Sequence, residues 1–507
     1  MLCCIDRCAL VPAPTLAQHR NVTLQLPDHD TITVPDDELS AATASWLVAR
    51  LAAGELSSVE LTQHLLDRME RLDPLLHAFV AVDAEAALRR ARVADDAHAA
   101  GDPLGPLHGL PVSIKDSFDV AGMAVTCGVP ELAERVCEHD APSVAALRDA
   151  GAIVVGTTNT PMWLADIQSY NSITGTTKNP WDLTRTAGGS SGGSGAALAS
   201  GMSPLSLGSD LSGSIRVPSA WCGVPGLKPT RGIVSKRGHI PQRPSVYPLD
   251  DVSVAGPMGR SIADLELALS VLARPELELA HAWRLELPPP RAVRPDRLRV
   301  GVWTDDAGCP VSTEIRRGLE RVAELLGREG ATVTELTPPS GLAPYIANFE
   351  QMTASEIVGN MDLEAWTAEL GVIRAGDRLS ELHAQPHRLW VEGEITRQAL
   401  QLEMAQLFEQ IDVLICPAVP CVAIPHDSDR PKAERTVMID GVERPYDELT
   451  HWGAVATVAY LPAVVLPVGM SDGGLPLAAQ VIGPHLEDLT ALRAAGMIEE
   501  LVADVVG

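Results

Sequence analysis

Between Ala187 and Arg216 two clusters of glycine and serine flank a short apolar segment. The first reads Gly188-Gly189-Ser190-Ser191-Gly192-Gly193-Ser194-Gly195 and the second Gly208-Ser209-Asp210-Leu211-Ser212-Gly213-Ser214. Glycine opens backbone conformations closed to other residues, so several N–H groups can converge on one point. A serine hydroxyl becomes a nucleophile once a base takes its proton. Together these are the parts of acyl transfer: a hydroxyl, a proton relay and an oxyanion hole. A flexible linker is the plain rival reading. It does not account for the apolar runs Ala196-Ala197-Leu198-Ala199 and Pro204-Leu205-Ser206-Leu207, which alternate with the clusters as core segments would. A phosphate-binding loop would need GxxxxGK[ST], which is absent. Gly188 to Gly192 also matches GxSxG, but that elbow needs a hydrophobic strand before it, and Asn179 to Thr186 does not read as one.

Three strings carry a family resemblance. Gly188 to Gly193 is GGSSGG. Gly208 to Ser219 follows G-[ST]-D-x-G-G-S-[IV]-R-x-P-[AS], with Ser212 where glycine is usual. Upstream, Gly109 to Asp116 (GLPVSIKD) follows G-[LIV]-P-[VIL]-[AGS]-[IVL]-K-D. In this order and spacing they resemble the amidase signature family of Ser–Ser–Lys hydrolases, over roughly Ala41 to the C-terminus. The resemblance implies that Ser214 is the nucleophile, Ser190 the bridging serine in a cis peptide, and Lys115 the base. It implies an oxyanion hole from the amides of Leu211, Ser212, Gly213 and Ser214. It further implies an Asp210–Arg216 pair bracing the loop, a supporting hydrogen bond from Ser191, and no cofactor.

The physics agrees with the lysine. At its ordinary pKa of about 10.4 a lysine is protonated at neutral pH and useless as a base. Burial disfavours the charged form and lowers that value. Most lysines are surface residues, but only five of the 39 basic residues here are lysines, and Lys115 ends an apolar run. Lys228, in Gly226-Leu227-Lys228-Pro229-Thr230, reads as structural through its match to the family's GLKPT string. Besides Ser212, departures from the family pattern are Leu211, Ala187 for a frequent proline, and Ala478 for a usual glycine. Met162 and Trp163 replace a common acidic–aromatic pair. With Leu164, Ile167 and Tyr170 they could line an apolar acyl pocket, although core packing explains each one singly as well.

The elements that must position these residues read as α/β. Helices are expected at Ala41 to Ala53, from the Ser57 cap to about Leu72, and at Asp83 to Ala100. Val112 to Ile114 is the strand that delivers Lys115. A helix at Pro142 to Ala150 and a strand at Ala152 to Val155 follow it, with a helix at Ser261 to Leu272 further on. Leu298 to Trp303, Ser312 to Arg328 and Thr332 to Leu336 read strand, helix, strand. Val413 to Cys416 is a further strand, and Asp488 to Val502 closes the chain as a helix. The resemblance implies one large domain, 36–507, with a mixed sheet covered by helices on both faces. It also implies that a helical region at 344–400 covers the substrate pocket. Residues 1–35 read as an irregular arm with a short strand at Val22 to Leu26.

Composition bounds the partners. The chain has 507 residues, 46% hydrophobic and 21% charged, which is ordinary for a globular protein. Its net charge of −27 argues against a nucleic-acid partner. Nine scattered cysteines with no CxxC pair and no Cys/His metal spacing suit free thiols and a cytoplasmic protein without a bound metal. Asp6 and Arg7 interrupt the apolar stretch a signal peptide needs. Trp452 to Met470 is uncharged over nineteen residues, but Pro462 and Pro467 break it, so it reads as core rather than a membrane span. The expected activity is hydrolysis of a small amide, anilide, carbamate or ester; a homodimer is left open. The alternatives are the glutaminase subunit of a tRNA-dependent amidotransferase and a non-catalytic binding protein on the same scaffold.

Overall fold

Helix ends follow from local chemistry. Thr43 caps Ala44–Ala53 (α1) by accepting the Trp46 N–H, and Gly54 closes it in the left-handed region. Ser57 caps Ser58–Leu76 (α2) by accepting the Glu60 N–H. This helix runs one turn past the expected end and contains Pro74. Two side chains explain the extension: Leu76 is fully buried, and Asp73 Oδ1 accepts the N–H groups of Ala78 and Phe79 at 2.7 and 3.1 Å. Asp83 caps Ala84–Ala100 (α3), and a proline opens Pro142–Asp149 (α4). The structure, a computed structural model, describes residues 22–25, 31–34, 37–239, 251–360 and 382–506. The expectations for residues 1–21 and for 361–381 lie outside them. Val22–Gln25 is a strand as expected, and it pairs with an unforeseen one at Thr31–Val34.

The core is an eleven-stranded mixed sheet. Its strands in chain order are Phe79–Val82 (β1), Pro111–Lys115 (β2), Ile153–Thr158 (β3), Leu205–Asp210 (β4), Gly226–Lys228 (β5) and Val254–Gly259 (β6). Arg299–Val302 (β7), Thr332–Glu335 (β8), Val413–Pro417 (β9), Ala463–Met470 (β10) and Pro476–Ile482 (β11) complete it. The spatial order is β8-β7-β9-β11-β10-β5-β6-β4-β2-β3-β1. β2 lies parallel to both β3 and β4 in the central part, and β7 parallel to β8 and β9. The uncharged run ending at Met470 forms the buried helix Ala454–Val458 and then β10, as its prolines required. Among the described residues no helix is long and apolar enough to cross a membrane.

Helices cover both faces of the sheet. Gly192–Ala199 (α5) and Arg216–Cys222 (α6) pack on each other and against the sheet. On the opposite face Ile262–Leu272 (α7), Thr313–Arg328 (α8) and Asp488–Val506 (α11) pack together. Ala343–Asn360 (α9) and His387–Gln410 (α10) form a packed pair within the region expected to be helical. Strand order explains why the site forms where it does. Leu207 of β4 stands beside Ile114 of β2, so Lys115 and Ser209–Asp210 emerge together at the C-terminal ends of adjacent parallel strands. In open α/β sheets that is where ligands bind.

Candidate active site

α5 holds the first serine cluster close to the sheet. Ser194 Oγ lies 2.7 Å from Thr158 Oγ1 of β3 and accepts from Ser206 Oγ of β4 at 2.9 Å. A Cβ on Gly193 would sit against Asn159 N and Ala78 O, so only glycine lets the helix approach this closely. Just before it the Gly189–Ser190 peptide is cis. A Cβ on Gly189 would lie 2.7 Å from Ile167 C and 2.8 Å from Gln168 N. Segment 166–168 therefore lies against the backbone at Gly189, next to Ser190.

Lys115, the last residue of β2, is fully buried. Its Nζ donates to Ser190 Oγ at 2.7 Å, Ser209 Oγ at 2.9 Å and Ser209 O at 3.3 Å. Burial lowers its pKa to about 7, against the pull of the Asp210 carboxylate and with help from the Lys236 charge. Lys228 is equally buried and also brought to about 7 by burial. Among the described residues it donates to the carbonyls of Leu461 and Pro229 and to no hydroxyl.

Asp210 organises the second cluster. Its carboxylate accepts the N–H groups of Gly213 at 2.8 Å, Ile215 at 3.1 Å and Arg216 at 3.2 Å. Arg216 clamps it through Nε and Nη2 at 3.0 and 2.9 Å, which holds the carboxyl well below its usual range despite burial. The guanidinium also donates to Gly453 O, Gln480 Oε1 and Thr457 Oγ1 at 2.8, 3.0 and 2.8 Å. The four expected oxyanion donors thus divide. The Gly213 N–H is occupied by Asp210, whereas those of Leu211, Ser212 and Ser214 donate to nothing among the described residues. Ser191 links the clusters: its N–H donates to Ser214 O at 3.1 Å and its Oγ to Ser209 O at 3.3 Å.

Lys115 and Ser190 are thus in direct contact, and Ser214 joins them through the Ser191 backbone. The Ser214 hydroxyl itself makes no hydrogen bond among the described residues. Of these serines Ser214 is the most open, at 6% exposure against 1% for Ser190 and 0% for Ser191. Cysteine rivals fare badly as nucleophiles. Burial pushes the thiols of Cys127 and Cys222 well up, and those of Cys416 and Cys421 to about 12.

The four pocket candidates stand in different surroundings. Met162 and Trp163 are exposed on a tight turn, with Trp163 and Leu164 at φ of 53° and 60°. Ile167 is buried with Val217, Ala220 and Trp221. The Tyr170 phenol belongs to a polar knot, donating to Asp166 Oδ2 at 2.9 Å and accepting from Arg435 Nη2 at 2.9 Å. Arg435 Nη1 meets the same carboxylate at 2.5 Å, and Tyr446 OH donates to its Oδ1 at 2.8 Å. Sequence reasoning missed this knot, the Gln480 contact with Arg216, and Ser209, which lies inside a quoted motif. It also passed over His239, whose Nε2 lies 2.8 Å from Ser209 Oγ. The argument against a GxSxG elbow holds, although the segment before it is extended. Asp182–Thr186 is a strand, but it pairs with Lys178–Asn179 in a polar hairpin outside the central sheet.

Known proteins resemble the chain over nearly its whole length. A family model described as Amidase matches residues 60–492. One subunit of the Glutamyl-tRNA(Gln) amidotransferase of Acidothermus cellulolyticus is 33% identical over 499 residues, covering 91% of this chain and 94% of that one. That relative's name includes a transfer RNA. A solved amidase superposes with a TM-score of 0.75 at 27% identity, covering 90% of this chain and 99% of that one. A solved chain from a vestigial protein complex, connected with the origins of an s-triazine catabolic enzyme, gives a TM-score of 0.78 at 29% identity, with coverage of 90% and 98%.

Proposed function

The chain belongs to the amidase family of C–N hydrolases, and on that premise we propose that it cleaves a small amide, anilide or carbamate through an acyl-enzyme on Ser214. One observation carries the reading: a fully buried lysine, its pKa brought to about 7, donates to Ser190 Oγ at 2.7 Å. Ser214 Oγ attacks the carbonyl carbon and passes its proton to Ser190 Oγ, whose own proton moves to neutral Lys115 Nζ. This step needs Ser214 Oγ to reach Ser190 Oγ once substrate is bound; such contacts are often loose in a free site. The tetrahedral oxyanion takes hydrogen bonds from the free amides of Leu211, Ser212 and Ser214. Lys115 then returns its proton through Ser190 to the leaving nitrogen, the C–N bond breaks, and water hydrolyses the ester. Residues 36–507 act as one domain, since a single sheet draws strands from Phe79 to Ile482. The α9–α10 region is read as the cover of the pocket: Glu356 of α9 accepts the N–H groups of Asp251, Val252 and Ser253 and lies 3.6 Å from Lys236, whose charge acts on Lys115.

A second reading rests on the name of the relative at 33% identity: a glutaminase that supplies ammonia within an amidotransferase. Amine or ammonia release from aliphatic amides, anilides, carbamates, esters and free glutamine separates the two. Turnover of a simple amide or carbamate that vanishes in Ser214→Ala and Lys115→Ala is expected. Preference for glutamine would move the chain to the second reading, and turnover surviving Ser214→Ala would remove the nucleophile assignment.

A further inference from the structure

Ser209 Oγ sits between two nitrogens, 2.9 Å from Lys115 Nζ and 2.8 Å from His239 Nε2. The hydrogens available fix what each can do. A neutral amine has two N–H donors and one lone pair. To act as a base, Lys115 must aim the lone pair at the Ser190 hydroxyl. Both N–H groups then fall to Ser209, one to its carbonyl at 3.3 Å and one to its Oγ. Ser209 Oγ can accept from Lys115 in this way only while its own hydrogen points elsewhere, and among the described residues the imidazole is the other group in reach.

We propose that His239 is a positioning residue: its bare Nε2 accepts the Ser209 O–H and so keeps the Lys115 lone pair directed at Ser190. Without that acceptor the Ser209 O–H turns onto the lone pair and competes with Ser190 for it. The surroundings suit an unprotonated ring. His239 is buried, with the Phe118 ring edge-on at a centroid distance of 4.7 Å. The charges facing it are positive: Lys115 from β2 and Lys236 from its own segment, the latter 3.6 Å from Glu356 of α9. Burial and both lysines push the imidazole well below its usual range. With Nε2 bare, the ring proton sits on Nδ1.

The inference rests on the Lys115–Ser190–Ser214 reading, so Ser214→Ala and Lys115→Ala run beside the test. The experiment measures kcat, KM, the pH profile and thermal stability for His239→Leu, His239→Phe, His239→Gln, Ser209→Ala and Ser209→Ala/His239→Leu on the best amide substrate. Leu and Phe lack an acceptor, and either is expected to lower kcat by about tenfold or more at unchanged KM. Their acid limb moves to lower pH, because the turned Ser209 hydroxyl favours the neutral amine. Gln offers a carbonyl oxygen and recovers most of kcat. In the double variant the competing hydroxyl is gone, so it is no slower than Ser209→Ala alone. Equal losses in Gln and Leu, an unmoved acid limb, or losses that multiply in the double variant would overturn the proposal. Activity surviving Ser214→Ala or Lys115→Ala would sink the triad reading instead. Both of those dead with His239→Leu unimpaired would sink His239 alone.

Discussion

Lys115 and Lys228 are both fully buried and both brought to about 7, yet their surroundings assign them different work. Lys115 reaches two hydroxyls besides the Ser209 carbonyl, whereas Lys228 reaches backbone carbonyls alone among the described residues. Only the neutral amine of Lys115 can take a proton, so kcat/KM is expected to rise with pH through about 7 and level off above it. A pH–rate profile on any turned-over substrate checks this. A flat profile between pH 6 and 8 would mean the lysine is not the titrating base. Asp210 makes a separate prediction. Its carboxylate holds three loop amides and the buried Arg216 charge. Asp210→Asn leaves that charge poorly compensated, and breaking such a buried pair costs about 3–5 kcal/mol. Denaturant unfolding should show a loss of that order together with loss of activity.

The decisive element is α5, whose small residues let it approach β3 and β4. Gly193→Ala would drive a methyl into Asn159 N and Ala78 O, backbone atoms that cannot move aside singly. It is expected to cost about 1–3 kcal/mol or more, the usual range for overpacking. Gly195→Ala should be milder, because its new methyl meets Cys222 Sγ at 3.1 Å and Pro218 Cβ at 3.2 Å. Melting temperatures of the two variants order them. Elements such as α1, α3, α7 and the strand–helix–strand unit β7–α8–β8 were legible because their caps and periodicity are local. The contact of Lys115 with Ser190 was legible because each residue lies within one short string. The extension of α2 past Pro74 was hidden because burial of Leu76, a tertiary effect, overrides the local signal. Ser209 and His239 meet across thirty residues, and Asp166 and Arg435 across 269. Neither pairing leaves a periodic trace in one sequence. Met162, Trp163, Ile167 and Tyr170 lie close in the chain, yet their side chains end in solvent, core and a polar knot.

At the scale of the whole molecule, the sheet order brings distant parts of the chain to one place. β10, from the C-terminal part, pairs with β5 on one side and β11 on the other, and Gln480 of β11 reaches Arg216, two residues after Ser214. Arg435 likewise ties the C-terminal part to Asp166, in the segment packed against Gly189. The loop geometry therefore depends on both ends of the fold. Net charge acts at this scale too. At −27 the folded chain repels itself, and added salt screens that repulsion. The melting temperature is expected to rise between low salt and about 0.5 M NaCl, where the Debye length is about 4 Å. A fall would show that ion pairs such as Arg291–Glu487 outweigh the repulsion.

The central claim is that Ser214 carries the acyl group. A slowly hydrolysed carbamate or a fluorophosphonate, mixed with the protein and followed by peptide mass mapping, tests it directly. The adduct is expected on Ser214 in the wild type and absent in Ser214→Ala, with labelling strongly slowed in Lys115→Ala. An adduct on Ser190, or on one of the buried cysteines, would contradict the account.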